Sequence, residues 1–327
     1  MSRERILNAL VLAGLIAIPL LAYVQDEPFT ITLATRAVIL ALAAVGLNIA
    51  LGLGGLISFG HAAFFGLGGY AMGILAHHAQ SYSTIIDWPI AIEGTKAMLV
   101  IWVVAVVISA LAAFLIGILS LRTTGAYFIM ITLAFGQMLF YFAISWAEYG
   151  GEDGLVIYVR NDFPGLNTLD PIQFYGLCFA ILCVVLLGFA RLAKSPFGLA
   201  LNAARQVPTR VETVGLNPMR IKLVAFVISG AITGLAGALF ADLNRFVSPT
   251  MFSWQISGEI MVLIIIGGVG RLIGPVVGAI VFVALEHWLG GLTDYWHIYL
   301  GLVLLLIVLF ARGGLVGLIA GRGGGHD

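Results

Sequence analysis

Apolar runs of bilayer-crossing length follow one another through almost the whole of this 327-residue chain. A helix needs about 20 mostly apolar residues to cross the hydrocarbon core, where every backbone amide must find its partner inside the segment. Residues 6–24, 38–56, 59–76, 97–119, 127–146, 172–190 and 223–240 meet that demand, and 256–269, 275–289 and 295–310 form three shorter passes. The pattern predicts an all-α polytopic membrane helix bundle. We expect about 10 transmembrane segments, or about 8 if one pair is re-entrant. Charged residues make up 10% of the sequence, against about 25% in soluble domains, so residues 1–327 read as a single transmembrane domain.

Residues 1–24 place Arg3 and Arg5 ahead of a long apolar run. That run exceeds the roughly 7–15 residues of a cleavable signal core, so it is read as a first crossing. With the N-terminus inside, Arg3, Arg5, Arg122, Arg191, Lys194, Arg205, Arg210, Arg220, Lys222, Arg271, Arg312 and Arg322 fall on the inner side, twelve of the 16 lysines and arginines. Asp26, Glu27, Asp87, Glu93, Glu148, Glu152, Asp153, Asp162, Asp170, Asp242 and Asp294 fall outside. The cation bias predicts that both termini are cytoplasmic. Formal net charge is zero and the pI is near 7.0, which leaves no basic field for a nucleic-acid partner.

Catalytic constellations are missing. None of the three lysines follows a glycine, so there is no P-loop, and no G-x-S-x-G occurs. No metal site is expected: the histidines form no HExxH, and His77 and His78 read as a solvated pair in a loop. Cys178 and Cys183, five apart in one apolar run, read as packing residues. Intramembrane ionisable groups are scarce. His61 follows a glycine break, Glu259 and Glu286 sit near outer helix ends, and Arg36 lies close to an outer boundary, too little for a proton relay. Ser58, His61, Thr132 and Gln137 are polar groups in apolar context, and stand as candidates either for a translocation pathway or for bonds to a neighbouring helix.

Glycine is abundant, at 41 residues. Gly69 and Gly73, Gly230 and Gly234, and Gly274 and Gly278 are spaced four apart, which predicts close helix contact. Phe64, Phe65, Tyr70, Phe128 and Phe135 read as core or lipid-facing. Glycine interruptions at 52–60 and at 267–275 stand in the two halves of the chain and fit either an internal repeat with broken helices or two tight turns.

One long polar segment breaks this pattern. Residues 191–222 carry Arg191, Lys194, Arg205, Arg210, Arg220 and Lys222 against a single acid, Glu212. A short helix is expected over 199–207 with Leu199, Asn202 and Ala203 on one side, then a break at Pro208, a second piece over 209–214, a C-terminal stop at Gly215 and a turn at Asn217-Pro218. On the cytoplasmic side such a knob fits a docking surface for a soluble partner, or a solvated loop against lipid headgroups.

Several motifs then combine. Leu47-Asn48-Ile49-Ala50-Leu51-Gly52-Leu53-Gly54-Gly55-Leu56-Ile57-Ser58-Phe59-Gly60-His61 is followed by Thr124-Gly125-Ala126-Tyr127-Phe128, Gly150-Gly151-Glu152-Asp153-Gly154, Ser195-Pro196-Phe197-Gly198 with Ala203-Ala204-Arg205, Ser229-Gly230, Gly267-Gly268-Val269-Gly270 and Gly274-Pro275. Together they resemble the permease family of branched-chain amino-acid ABC importers, in its LivM-like branch, over roughly residues 48–289. The resemblance implies a permease of the bacterial inner membrane that moves leucine, isoleucine or valine. It implies a second homologous permease subunit, two ABC ATPase subunits and a periplasmic substrate-binding protein as partners. No cofactor is expected on this chain, and ATP and Mg would be used by the ATPase. It also implies an ATPase-coupling loop, with Ala203, Ala204 and Arg205 leading in and Glu212 and Gly215 at the family's glutamate and glycine, although the paired alanines of that pattern are absent from Val211-Glu212-Thr213-Val214-Gly215. The same machinery serving urea, short amides or other amino acids, and an ion-coupled carrier acting alone, stay open as alternatives.

Overall fold

A computed structural model describes residues 3–86, 92–292, 295–310 and 313–320. Asp87, Asp294, Arg312 and Arg322 of the charge pattern lie outside the described residues, as do the side chains of Arg3 and Arg5. The order is α1 (Arg3–Val24), α2 (Pro28–Asn48), α3 (His61–Ser81), α4 (Met98–Ser120), α5 (Ala126–Ser145), α6 (Pro171–Lys194), α7 (Pro196–Gln206), α8 (Pro208–Thr213), α9 (Pro218–Asn244), α10 (Trp254–Gly267), α11 (Gly274–Gly290), α12 (Trp296–Phe310) and α13 (Gly314–Ala320). Among the described residues, two strand pairs accompany them: β1 (Thr84–Ile86) with β2 (Ile92–Glu93), and β3 (Leu155–Val156) with β4 (Phe246–Val247), both antiparallel. The chain is therefore an all-α membrane protein.

Among the described residues, six helices are long and apolar enough to cross a bilayer: α1, α2 with its continuation to Leu53, α4, α5, α6 and α9. The 21 residues of α3 match them in length, whereas α10, α11 and α12 hold 14, 17 and 15 residues. Several helices outrun the apolar stretches that announce them. α2 starts at Pro28, ten residues ahead of the expected 38, because the polar side chains there find partners, Thr32 and Thr35 on the helix itself and Arg36 on α11. Thr32 Oγ1 donates to the Pro28 carbonyl (3.0 Å) and Thr35 Oγ1 to that of Ile31 (2.7 Å). α3 likewise runs on through His77 and His78, which corrects their placement in a loop. His78 is buried, with Nδ1 2.7 Å from Ser83 Oγ and Nε2 3.0 Å from the Tyr149 hydroxyl.

The centre of the bundle is α2, α3 and α9, with α4 against the last two. Between membrane helices lipid removes most of the hydrophobic drive to associate, so close backbone approach carries the packing. Gly234 of α9 leaves no room for a Cβ beside Ser109 of α4, and Gly278 of α11 lies against the Leu263 carbonyl of α10. The four-residue glycine spacing thus marks real contacts. Phe64, Phe65, Tyr70 and Phe128 are buried and Phe135 is half-buried, all as packing residues. Cys178 is buried and Cys183 half-buried on α6, both as free thiols.

Both glycine interruptions fall at one end of the bundle, together with residues 121–125 and 195–217. Arg122, Arg191, Lys194, Arg205, Arg210, Arg220, Lys222 and Arg271 gather there, and it is termed the basic end. The opposite, acidic end holds residues 146–170 and 245–253. Between them, nearer the acidic end, Arg36 Nη2 of α2 pairs with Glu286 Oε1 of α11 at 2.9 Å.

Candidate functional site

At the basic end, local sequence rules build a compact knob. Ser195 caps α7: its Oγ accepts from Gly198 N–H (3.2 Å), and Pro196 occupies the first helical position where no amide hydrogen is needed. Leu201 and Ala204 of α7 are fully buried toward the bundle, while Leu199, Asn202 and Ala203 share the exposed face, as their spacing predicted. Val207 is extended, and Pro208 opens α8. α8 is held by one buried side chain, Val211, and leaves Glu212 exposed.

α8 ends in a Schellman motif. Gly215 N–H donates to the Glu212 carbonyl (2.9 Å) and Leu216 N–H to that of Val211 (3.1 Å), with Gly215 at φ +85°. Asn217 then caps α9, its Oδ1 accepting from Met219 N–H (3.0 Å) and Arg220 N–H (3.2 Å). The polar segment is therefore almost wholly helical. Arg191 and Lys194 belong to the last turn of α6, and Arg220 and Lys222 to the start of α9.

Arg205 is an exposed residue, yet its guanidinium turns inward, and Nη1 donates to the Gly52 carbonyl. Of the five coupling-loop candidates, Ala203, Glu212 and Gly215 face outward, Ala204 is buried, and Arg205 reaches into the bundle.

The pathway candidates lie deeper. His61 begins α3 and is fully buried. Ser229 Oγ donates to the Gly46 carbonyl (2.7 Å), so His61 Nε2, 2.7 Å from the same oxygen, carries the donated hydrogen. His61 Nδ1 is left with no partner among the described residues. Its ring stacks edge-on against Phe64 (5.3 Å) and Phe226 (5.6 Å). Ser58 Oγ accepts from Gly60 N–H (3.2 Å), and Thr132 Oγ1 donates to the Ile129 carbonyl (3.0 Å), both fully buried. Gln137 is half-buried on α5. The structure joins His61 to Ser229, and brings Thr132 against Gly60, where an added Cβ would stand 2.8 Å from the Thr132 carbonyl oxygen.

Two polar residues escaped the sequence reading. Ser257 of α10 accepts from Ala62 N–H at 2.8 Å, filling an orphan donor in the first turn of α3. Asn48 is fully buried between the glycine turns, its Oδ1 accepting from Gly270 N–H (2.9 Å) and its Nδ2 donating to the Arg271 carbonyl (3.0 Å). Its signal is an amide inside an apolar run. Among the described residues, no three His, Cys, Asp or Glu side chains converge as metal ligands.

The sequence profile of the family described as "Branched-chain amino acid transport system / permease component" matches residues 29–311. The chain belongs to that family. The match covers α2 to α12, with the central helices of the bundle and both glycine turns. Among curated relatives, the Escherichia coli high-affinity branched-chain amino acid transport system permease protein LivM is 30% identical over 88% of this chain and 70% of its own length. The probable branched-chain amino acid transport permease protein LivH of Methanocaldococcus jannaschii is 26% identical over 50% of this chain and 51% of its own. The Bacillus subtilis ribose import permease protein RbsC is also 26% identical, over 50% and 51%. No solved structure matches the chain.

Proposed function

We propose that this protein is the transmembrane permease subunit of an ATP-driven ABC importer for leucine, isoleucine or valine, in a bacterial inner membrane. The carrying observation is the exposed α7–α8 knob with its Gly215 stop, on a chain that matches the branched-chain permease family over residues 29–311. A chain with no P-loop that works by ATP takes that energy from a partner, and the knob is the surface that suits such a partner. Two ABC ATPase subunits bind ATP and Mg and seat the knob between Ala203 and Gly215. A second homologous permease completes the pathway, and a periplasmic binding protein delivers the amino acid to the acidic end.

The basic end is then cytoplasmic, in keeping with the preference of Lys and Arg for that side. Both termini lie there if α10, α11 and α12 each cross, for about 10 crossings. Branched-chain substrates are favoured over sugars by coverage: the LivM alignment spans 88% of the chain, the ribose permease alignment 50%.

The test is reconstitution of this chain with its partner permease, ATPases and binding protein in proteoliposomes. ATP-dependent uptake of labelled leucine is expected only from the complete set. Uptake by this chain alone, driven by an ion gradient, would establish an independent carrier and overturn the reading.

A further inference from the structure

α2 does not end as an α-helix. Its last turn widens into a π-turn over Ile49–Leu53, closed by Gly54 N–H to the Ile49 carbonyl (3.3 Å) and followed by Leu56 N–H to that of Ala50 (2.9 Å). A π-turn carries one residue more than the α-register holds, and such turns are frequent at functional sites. This one is gripped from two sides by residues far away in sequence.

The first grip comes from α7. Arg205 donates to the Gly52 carbonyl, and its side chain lies over Gly55, where φ is +68° and an added Cβ would stand 2.8 Å from Arg205 Cγ. Leu201, one turn earlier and fully buried, fills the space beside Gly54, 3.4 Å from where a Cβ would be. Asn48 makes the second grip, at the start of the π-turn. Its two bonds to Gly270 and Arg271 hold the turn between α10 and α11, and Gly52 meets Gly270 so closely that an added Cβ would lie 2.7 Å from its Cα. Arg271 extends the line, with Nη1 donating to the Val316 carbonyl of α13 at 3.4 Å.

We infer that Arg205 and Asn48 are positioning residues that form a relay, carrying movement of the ATPase-facing helix α7 through the π-turn to the α10–α11 turn. Arg205 pulls on the Gly52 carbonyl, and Asn48, rigidly placed one turn earlier, passes that displacement to Gly270 and Arg271. Both residues bond backbone groups, so a shift of either segment moves main chain and with it the helices that follow. The relay rests on the reading of α7–α8 as the ATPase seat.

The test uses the complete transporter in proteoliposomes and reads leucine imported per ATP hydrolysed, together with ATPase retention on the purified complex and its melting temperature. Arg205→Ala is expected to lower the import ratio about tenfold with the ATPase still bound, and Arg205→Lys to recover at least half of it. Asn48→Leu, which matches the side chain in size but offers no hydrogen bond, is expected to lower the ratio as well. If that variant fails to assemble, Asn48→Ser takes its place. Because the two act in series, the double variant should lose no more than the worse single variant. A ratio unchanged in Arg205→Ala, dissociation of the ATPase from the complex, or losses that multiply in the double variant would each overturn the relay. If the unsubstituted transporter shows no ATP-dependent leucine uptake, the reading beneath falls and the relay with it.

Discussion

The two ends of this bundle are fastened differently. At the basic end, side chains from one helix bond the bare backbone of another, as Arg205 does with Gly52 and Asn48 with Gly270 and Arg271, and the knob outside them stays open. At the acidic end, side chains and loops close over one another. Arg160 donates to the carbonyls of Thr168 (2.7 Å) and Leu243 (3.2 Å) and stacks on Phe174, and Asn161 gives its N–H and Nδ2 to Asp242 Oδ1 (3.4 and 3.1 Å). Burial lowers the Arg160 pKa, and nearby Asp242 pulls it back. β3 pairs with β4, and Ile157 N–H reaches the Arg245 carbonyl (2.9 Å), so residues 155–168 form a fixed cover on the end of α9. On the proposed reading one end is there to be touched and moved, and the other to hold its shape. α9, 27 residues and thus about 40 Å long, joins them.

If the acidic end is chiefly a packed cover, its central group should matter most for stability. Asp242→Ala removes the charged acceptor of both Asn161 bonds and strips Arg160 of its nearest counter-charge. A loss of about 2–3 kcal/mol is expected, read as a lower unfolding midpoint of the detergent-solubilised protein. Asp242→Asn keeps an acceptor oxygen and should lose less than half as much. A stable Asp242→Ala protein with poor coupling would erase the contrast between the ends.

Gly215→Val probes the basic end in the opposite sense. A Cβ there meets no atom within 4 Å, so the only penalty is backbone conformation at φ +85°, about 1–3 kcal/mol for a β-branched residue. The melting point should fall by no more than a few degrees, while leucine uptake per ATP falls several-fold. Gly215→Asn, which tolerates this conformation, should retain most of the uptake. Equal defects in the two variants would mean that the ATPase needs the bare surface of a glycine there, and not the helix stop.

Much of the knob was legible because its rules are local. Pro208, Gly215 and Asn217-Pro218 each act within four residues, and the structure places a break, a stop and a cap there, whereas Ser195-Pro196 opens α7 three residues ahead of the expected 199. The membrane helices were legible as a class from apolar length, but less so at their ends, since Thr32 and Thr35 hide polarity against their own helix and His78 hides it against Tyr149. Long-range partners left almost no trace. Asn48 and Gly270 are 222 positions apart and Ala62 and Ser257 are 195 apart, and no periodicity encodes which buried polar atom meets which turn. The same holds for Arg205, whose cation suggested a partner outside the membrane and whose bond lies within.

The smallest expected effect tests how tightly the acidic cover is sewn at its edge. Tyr149 is buried, its hydroxyl bonded to His78 Nε2, and its pKa is raised by burial and then by neighbouring Glu148. Tyr149→Phe keeps the ring against Trp146, 4.6 Å between centroids, and removes only that hydroxyl. His78 keeps its bond to Ser83, so one buried nitrogen loses its partner, and the loss should be about 1 kcal/mol. Amide exchange should rise near residues 146–154 while α7 and α8 keep their wild-type protection. Should exchange rise at α7 and α8 as well, the two ends would be coupled through α9 in the resting state, and the division between a fixed end and a movable one would have to be redrawn.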